Sequence, residues 1–152
     1  LSAPVLESIL PSNEMIMSRG TDWILSHDGR RIAFLGISFK AGTDDVRESP
    51  FVALVKRLLG EQRDIRIFDP NVQLSQLIGA NREFLMRNPD LVGLLHDDVT
   101  ATIEWADIIV LTTADPRFVA ALTATRPDQV VLELSDIGLP EQVRAKVNGF
   151  HW

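Results

Sequence analysis

Arg31 to Pro50 reads RIAFLGISFKAGTDDVRESP. It begins with an unbroken apolar run, Ile32-Ala33-Phe34-Leu35-Gly36-Ile37. A run without polar alternation predicts a central parallel strand, buried by helices on both sides, over Arg31 to Ser38. A polar loop follows, carrying Lys40, Gly42, Thr43, Asp44, Asp45 and Arg47. Ser49 is a good N-cap, and Pro50 stands at the first helical position, where its missing N–H costs nothing. Phe51, Leu54, Val55, Leu58 and Leu59 then recur at helical spacing, with Lys56, Arg57 and Glu61 on the outer face. Strand, polar loop and capped helix together are how an α/β protein presents a loop to an anionic ligand.

The same alternation continues along the chain. Upstream, Pro4 and Pro11 mark an incoming segment, and Ser12 caps a helix predicted over Asn13 to Ser26. Downstream, DIRIFD from Asp64 to Asp69 is a short strand stopped by Pro70. Short helical pieces are expected around Leu74 to Ile78 and Phe84 to Met86. A helix follows over Thr100 to Trp105, then a buried strand, DIIVLTT, over Asp107 to Thr113. Asp115 and Pro116 open a helix that runs to about Ala124. A fourth strand covers Gln129 to Leu134, and a last helix is predicted over Pro140 to Val147. Strands alternating with helices and lacking polar alternation imply an α/β fold: a mainly parallel sheet with helices on both faces and right-handed crossovers.

Composition narrows the function. At 152 residues the chain suits one domain with an appendage, and its 45% hydrophobic and 24% charged residues are ordinary for a globular protein. The net charge of −6 argues against a general nucleic-acid binder. No apolar run approaches the ~20 residues of a membrane span, and no signal pattern precedes the first helix. With no cysteine there is no disulfide framework, thiolate metal site or cysteine nucleophile, and the three histidines show no metal-ligand spacing. No metal site, no membrane insertion and a cytoplasmic location are the resulting expectations. The chain starts at Leu1 without an initiator methionine and is expected to be a piece of a longer protein.

Ligands of an open parallel sheet bind beyond the carboxyl ends of its strands. Of the four loops there, the first is the richest. Lys40 is a mobile point charge for phosphate, and Arg47 a planar fork for two phosphate oxygens. The alternative is that both cations pair with Asp44, Asp45 and Glu48 on a solvated loop. Neither glycine-rich fingerprint is met: there is no GxGxxG, and no Gly-Lys-Ser/Thr follows. Asp69 reads as a turn aspartate before Pro70 rather than a ribose ligand. Thr112, Thr113 and Asp115 read as strand end and helix cap first, and ligand contacts second. Asp44-Asp45 reads as a loop brace, not a metal site. Trp23, Trp105 and Trp152 read as packing residues. Nothing resembles a nucleophile–base pair.

GISFKAGTDDVRESP, from Gly36 to Pro50, resembles the start of the C-terminal, nucleotide-sugar-binding domain of the UDP-glucose/GDP-mannose dehydrogenase family. IFDP (67–70), GANREF (79–84), ADIIVL (106–111) and the closing Trp152 extend the likeness, and GANREF and Trp152 are most similar to the GDP-mannose branch. Leu6 to Ser26 resembles the end of that family's central helix. The resemblance implies a Rossmann-like three-layer sandwich preceded by the end of a long connecting helix. It divides the chain into residues 1–29, the end of a linker and dimerisation helix, and 30–152, the nucleotide-sugar-binding domain. It further implies an NAD-dependent enzyme that oxidises GDP-mannose to GDP-mannuronate, and a homodimer.

The resemblance also assigns residues. Phe39 and Lys40 match the pair that touches the nucleotide sugar, and Arg47 matches the arginine that reaches NAD. NAD itself would be held mainly by an N-terminal domain that is absent here. Two departures stand out. The UDP-glucose branch carries a substrate-holding arginine after the fourth strand, where this chain reads Leu132-Glu133-Leu134-Ser135-Asp136. The family's catalytic cysteine and glycine-rich fingerprint are also missing, so no catalytic residue is expected in this chain and no turnover from it alone. UDP-glucose, a UDP-N-acetylamino sugar, or a non-catalytic nucleotide-binding regulatory module are the alternatives.

Overall fold

The computed structural model describes residues 4–40, 42–135, 138–139 and 141–149, with side chains described from residue 14 onward. The apolar run forms β1 (Arg31–Leu35), and its alternate residues serve two different cores. Ile32 and Phe34 pack with residues of α2 (Pro50–Gly60), while Ala33 and Leu35 pack with Ile103, Phe118 and Leu122 on the opposite face. All four are fully buried, which is why the run has no polar member.

β2 (Asp64–Phe68), β3 (Ile108–Leu111) and β4 (Val130–Glu133) pair around β1. With β5 (Lys146–Gly149) they make a five-stranded, all-parallel sheet in the order β2-β1-β3-β4-β5. α1 (Pro4–Leu25), α2, α3 (Gly79–Met86) and α4 (Pro89–Val92) contribute to the first core. α5 (Val99–Trp105) and α6 (Pro116–Ala121), the latter extended by a 3-10 turn over Leu122–Ala124, contribute to the second. This is a Rossmann-like three-layer sandwich. The helix starts follow local chemistry: Ser49 accepts the Phe51 N–H, Asp98 that of Ala101 and Asp115 that of Arg117.

Two expectations fail, and the helical piece expected around Leu74 to Ile78 is a hydrogen-bonded turn closed by the Gln73 carbonyl rather than a helix. The helix predicted over Pro140 to Val147 is instead a turn leading into β5, with Pro140 outside the described residues. Val143 and Val147 have helical spacing, but the open edge of β4 offers backbone partners, and the Lys146 N–H donates to the Gln129 carbonyl at 3.2 Å. β5 is accordingly a largely exposed edge strand. At the other end, α1 starts at Pro4 and runs through Pro11, where an incoming segment was expected. A proline removes one i→i−4 bond, and here the helix continues on both sides of it.

Trp23 packs beside the first core and lies against His27, ring centroids 4.1 Å apart. Trp105 carries the Arg66 guanidinium 4.4 Å above its ring. Trp152 and Asp136 lie outside the described residues. Among the described residues no helix is long and apolar enough to cross a membrane.

Candidate functional site

The chain leaves β1 toward α2 on one face of the sheet and leaves β3 toward α6 on the other. β1 and β3 are neighbours, so the two loops diverge where the strand order reverses, and a crevice opens at the carboxyl edge there. Its floor is tight. Gly36 has φ +96°, and a Cβ on it would lie 2.4 Å from Thr113 Oγ1 and 2.6 Å from Thr112 Oγ1. Only glycine fits that conformation and that approach. Thr112 Oγ1 donates to the Leu35 carbonyl at 3.0 Å, and Ser135 Oγ donates to the Thr112 carbonyl at 2.6 Å. The threonines are therefore structural parts of the floor.

Residues 37–40 and 42–48 form the first wall. Ile37 and Val46 are buried and tie its two ends to the core. Asp69, only 5% exposed, accepts the N–H groups of Ile37 at 2.8 Å and Ser38 at 3.1 Å on Oδ2, and that of Asn71 at 2.9 Å on Oδ1. It is the brace of the loop, in keeping with its reading as a turn residue. The loop closes on itself where the Phe39 N–H donates to the Asp45 carbonyl at 2.7 Å. The Lys40 carbonyl accepts from Thr43 Oγ1 at 2.7 Å, Thr43 N–H at 3.2 Å and Ser38 Oγ at 3.2 Å.

These bonds fix the backbone of the Phe39-Lys40 pair and leave its side chains outward. Lys40 is exposed, and its ammonium has no hydrogen-bond or ion-pair partner among the described residues. Phe39 is 59% exposed and borders a groove of about 580 Å³ between α1 and α2, lined also by Met17, Thr21, Pro50 and Leu54. A large aromatic side chain left in water on a pinned backbone is a feature of a binding surface rather than of a core.

Arg47 behaves differently. Its Nε and Nη2 donate to the two oxygens of Asp45 at 3.0 and 2.9 Å, and its own N–H donates to Asp45 Oδ1 at 3.1 Å. The Arg47 guanidinium holds the Asp45 carboxyl below its usual range. The charge-pairing alternative thus holds for Arg47 and not for Lys40. The fork consumes two of the five guanidinium N–H groups, and three remain for a ligand. An exposed guanidinium with three donors left over fits the oxygens of an anionic ligand such as a phosphate.

The opposite wall holds a residue that the sequence reading passed over. Arg117 repeats the arrangement of Arg47: Nε and Nη2 donate to Asp115 at 2.9 and 2.8 Å, and its N–H donates to Asp115 Oδ1 at 2.9 Å. The repeated signal was visible as Asp-x-Arg after β1 and again after β3, at Asp45-Val46-Arg47 and Asp115-Pro116-Arg117. Among the described residues no three His, Asp or Glu side chains converge as metal ligands would.

Residues 33–136 match the model of the UDP-glucose/GDP-mannose dehydrogenase family, UDP binding domain. A GDP-mannose 6-dehydrogenase from Pseudomonas putida is 40% identical over 152 residues, covering 99% of this chain and 35% of that protein. The crystal structure of a ternary complex of GDP-mannose dehydrogenase from Pseudomonas aeruginosa superposes with a TM-score of 0.81 at 36% identity, over 96% of this chain and 34% of that one. A UDP-glucose dehydrogenase from Pyrobaculum islandicum shares the fold, with a TM-score of 0.67 at 21% identity over 93% of this chain and 30% of that one. The chain spans about a third of the length of these relatives.

Proposed function

The chain belongs to the UDP-glucose/GDP-mannose dehydrogenase family, and from that premise we propose that it is the nucleotide-sugar-binding domain of an NAD-dependent dehydrogenase acting on GDP-mannose. Lys40 and Phe39 hold the nucleotide sugar, and Arg47 reaches the NAD. The observation that carries this reading is the Lys40 ammonium, without a partner among the described residues, beside the exposed Phe39 ring on a backbone braced by Asp69 and closed by Asp45. A cation in that position supplies charged hydrogen bonds to a diphosphate, and the ring covers the apolar face of a sugar or base.

NAD would supply the hydride acceptor in each of the two two-electron steps, with a water adding between them, that take a primary alcohol to an acid. The bond-making steps belong to a part of the enzyme beyond these 152 residues, which contain no cysteine and offer no nucleophile–base pair. Within residues 1–29, α1 acts as the end of the helix that joins this domain to the rest of the enzyme and to a second subunit. The role of the present chain is to bind, to orient and to line one side of the cleft. Arg47 and Lys40 lie on the same loop, so one wall serves both ligands.

The test is calorimetric titration of the full-length protein with GDP-mannose and with UDP-glucose, for the wild type and for Lys40→Ala. Loss of a charged donor to phosphate costs ~1.5–3 kcal/mol, or roughly ten- to a hundredfold in affinity. GDP-mannose is expected to bind more tightly than UDP-glucose. Preference for UDP-glucose would move the assignment to the other branch, and unchanged binding in Lys40→Ala would make Lys40 a surface lysine and end the reading of the site.

A further inference from the structure

We infer that Asp45 is the positioning residue that sets Arg47 for the dinucleotide, and that it does so from the bond network that shapes the Phe39-Lys40 segment. This deepens the functional reading above and rests on it. Asp45 makes four of the loop's hydrogen bonds by itself. Its carbonyl takes the Phe39 N–H at 2.7 Å. Its carboxylate takes the Arg47 N–H, Nε and Nη2 at 3.1, 3.0 and 2.9 Å. Main chain and side chain of one residue therefore face in two directions, toward the proposed sugar-nucleotide residues and toward the proposed cofactor residue.

The fork has a physical consequence for binding. A free arginine carries rotamer entropy that a ligand must remove. In this loop the fork has already removed much of it, and it orients the plane of the guanidinium. The donors left over, both N–H groups of Nη1 and one of Nη2, are directed away from Asp45 by the planarity of the group. The pair is half exposed, with side chains 49% and 42% accessible, so its contribution to folding is small. Holding a partly solvated arginine in one orientation is of more use to a ligand than to the fold.

Asp45→Asn tests the inference, because it keeps the backbone carbonyl and the side-chain shape and breaks the fork. Asparagine has one acceptor oxygen, and its NH₂ faces guanidinium donors. In the full-length enzyme, calorimetry is expected to show about a tenfold weaker NAD affinity, roughly one charged hydrogen bond's worth. Nucleotide-sugar affinity is expected to stay within about twofold, since the Phe39 tie uses the main chain. In Asp45→Asn/Arg47→Ala, NAD is expected to bind no more weakly than in Arg47→Ala alone, because Asp45 acts through Arg47. Asp45→Glu, which can rebuild a fork, is expected to recover part of the loss.

Unchanged NAD affinity in Asp45→Asn would overturn the inference. So would additive losses in the double variant. Equal weakening of both ligands would also overturn it, making Asp45 a loop brace only. A wild-type enzyme that bound neither ligand would sink the functional reading, and this inference with it; one that bound both while Asp45→Asn changed nothing would sink this inference alone.

Discussion

The Asp69 carboxylate accepts the Ile37 N–H at 2.8 Å, tying the residue after β2 to the start of the loop after β1, 32 residues earlier. The same oxygen takes the Ser38 N–H, so the backbone just before Phe39 and Lys40 hangs from one buried side chain. Asp69 touches none of the proposed ligands' residues through its side chain. It nevertheless determines where they stand.

Asp69→Ala should therefore destabilise the fold and weaken ligand binding together. Orphaned buried N–H groups cost ~1–3 kcal/mol each, and two of the three involved lie in buried residues. A loss at or above the upper end of that range is expected in urea denaturation. Asp69→Asn, which keeps one acceptor oxygen, should fall between the wild type and Asp69→Ala. Equal stability of all three would mean that water or a rearranged loop satisfies these donors.

Gly36→Ala should destabilise by about 1–3 kcal/mol, since φ +96° is strained for alanine and its Cβ would run into two threonine hydroxyls. Adding Thr113→Ala removes the nearer hydroxyl but leaves the backbone strain. Partial recovery in the double variant is the expected outcome of denaturant titration. Full recovery would assign the whole cost to the Thr113 clash, and none would assign it to φ together with Thr112 Oγ1, which stays in place.

The parts of this architecture that could be read beforehand are those whose causes are local. β1 is buried on both faces, and the run Ile32 to Ile37 says so without help from the rest of the chain. Ser49-Pro50 and Asp115-Pro116 open helices by bonds that span two residues. β5 was misread because its cause lies elsewhere: Lys146–Gly149 extends since β4 presents an unpaired edge, not because its own pattern is strand-like. Asp69 was legible as a turn residue, yet nothing near it announces the loop that it holds. For Lys40 and Arg47 the spacing left two outcomes open, ligand-facing or paired. The fork to Asp45 answers for Arg47 and leaves Lys40 with no acid among the described residues. The repeated Asp-x-Arg is visible in the residues, but its meaning needs the sheet order, which makes the strands before the two copies neighbours.

Acid should weaken the fold through Asp107 and Asp115. The side-chain bond from Arg31 holds the Asp107 carboxyl below its usual range, and that from Arg117 does the same for Asp115. A depressed folded-state pKa means stability that is fully present above about pH 4, where a free aspartate titrates, and is lost as pH falls through the lower folded value. Asp107 also accepts the N–H groups of Arg30 and Arg31 at 3.1 and 3.0 Å, joining the start of β1 to the start of β3. Thermal midpoints should fall as pH drops below about 4, and Asp107→Asn should flatten that slope while lowering the plateau at neutral pH. An unchanged slope would place the acid sensitivity in other carboxylates.

Phe39→Ala separates the site from the fold. The ring is 59% exposed, so its removal forfeits little burial and leaves the Phe39 N–H bond to the Asp45 carbonyl in place. Stability in denaturant should stay within about 0.5 kcal/mol of the wild type, as for a surface change away from caps and cores. Nucleotide-sugar affinity, measured by calorimetry on the full-length protein, should nonetheless fall by about tenfold if the ring lies on the ligand, since a stacked aromatic contributes ~1–3 kcal/mol. NAD affinity should hold, because Arg47 keeps its fork to Asp45. A drop in stability with both affinities intact would instead place the ring against α1, closing the groove it borders with Met17 and Thr21, and would take Phe39 out of the binding site.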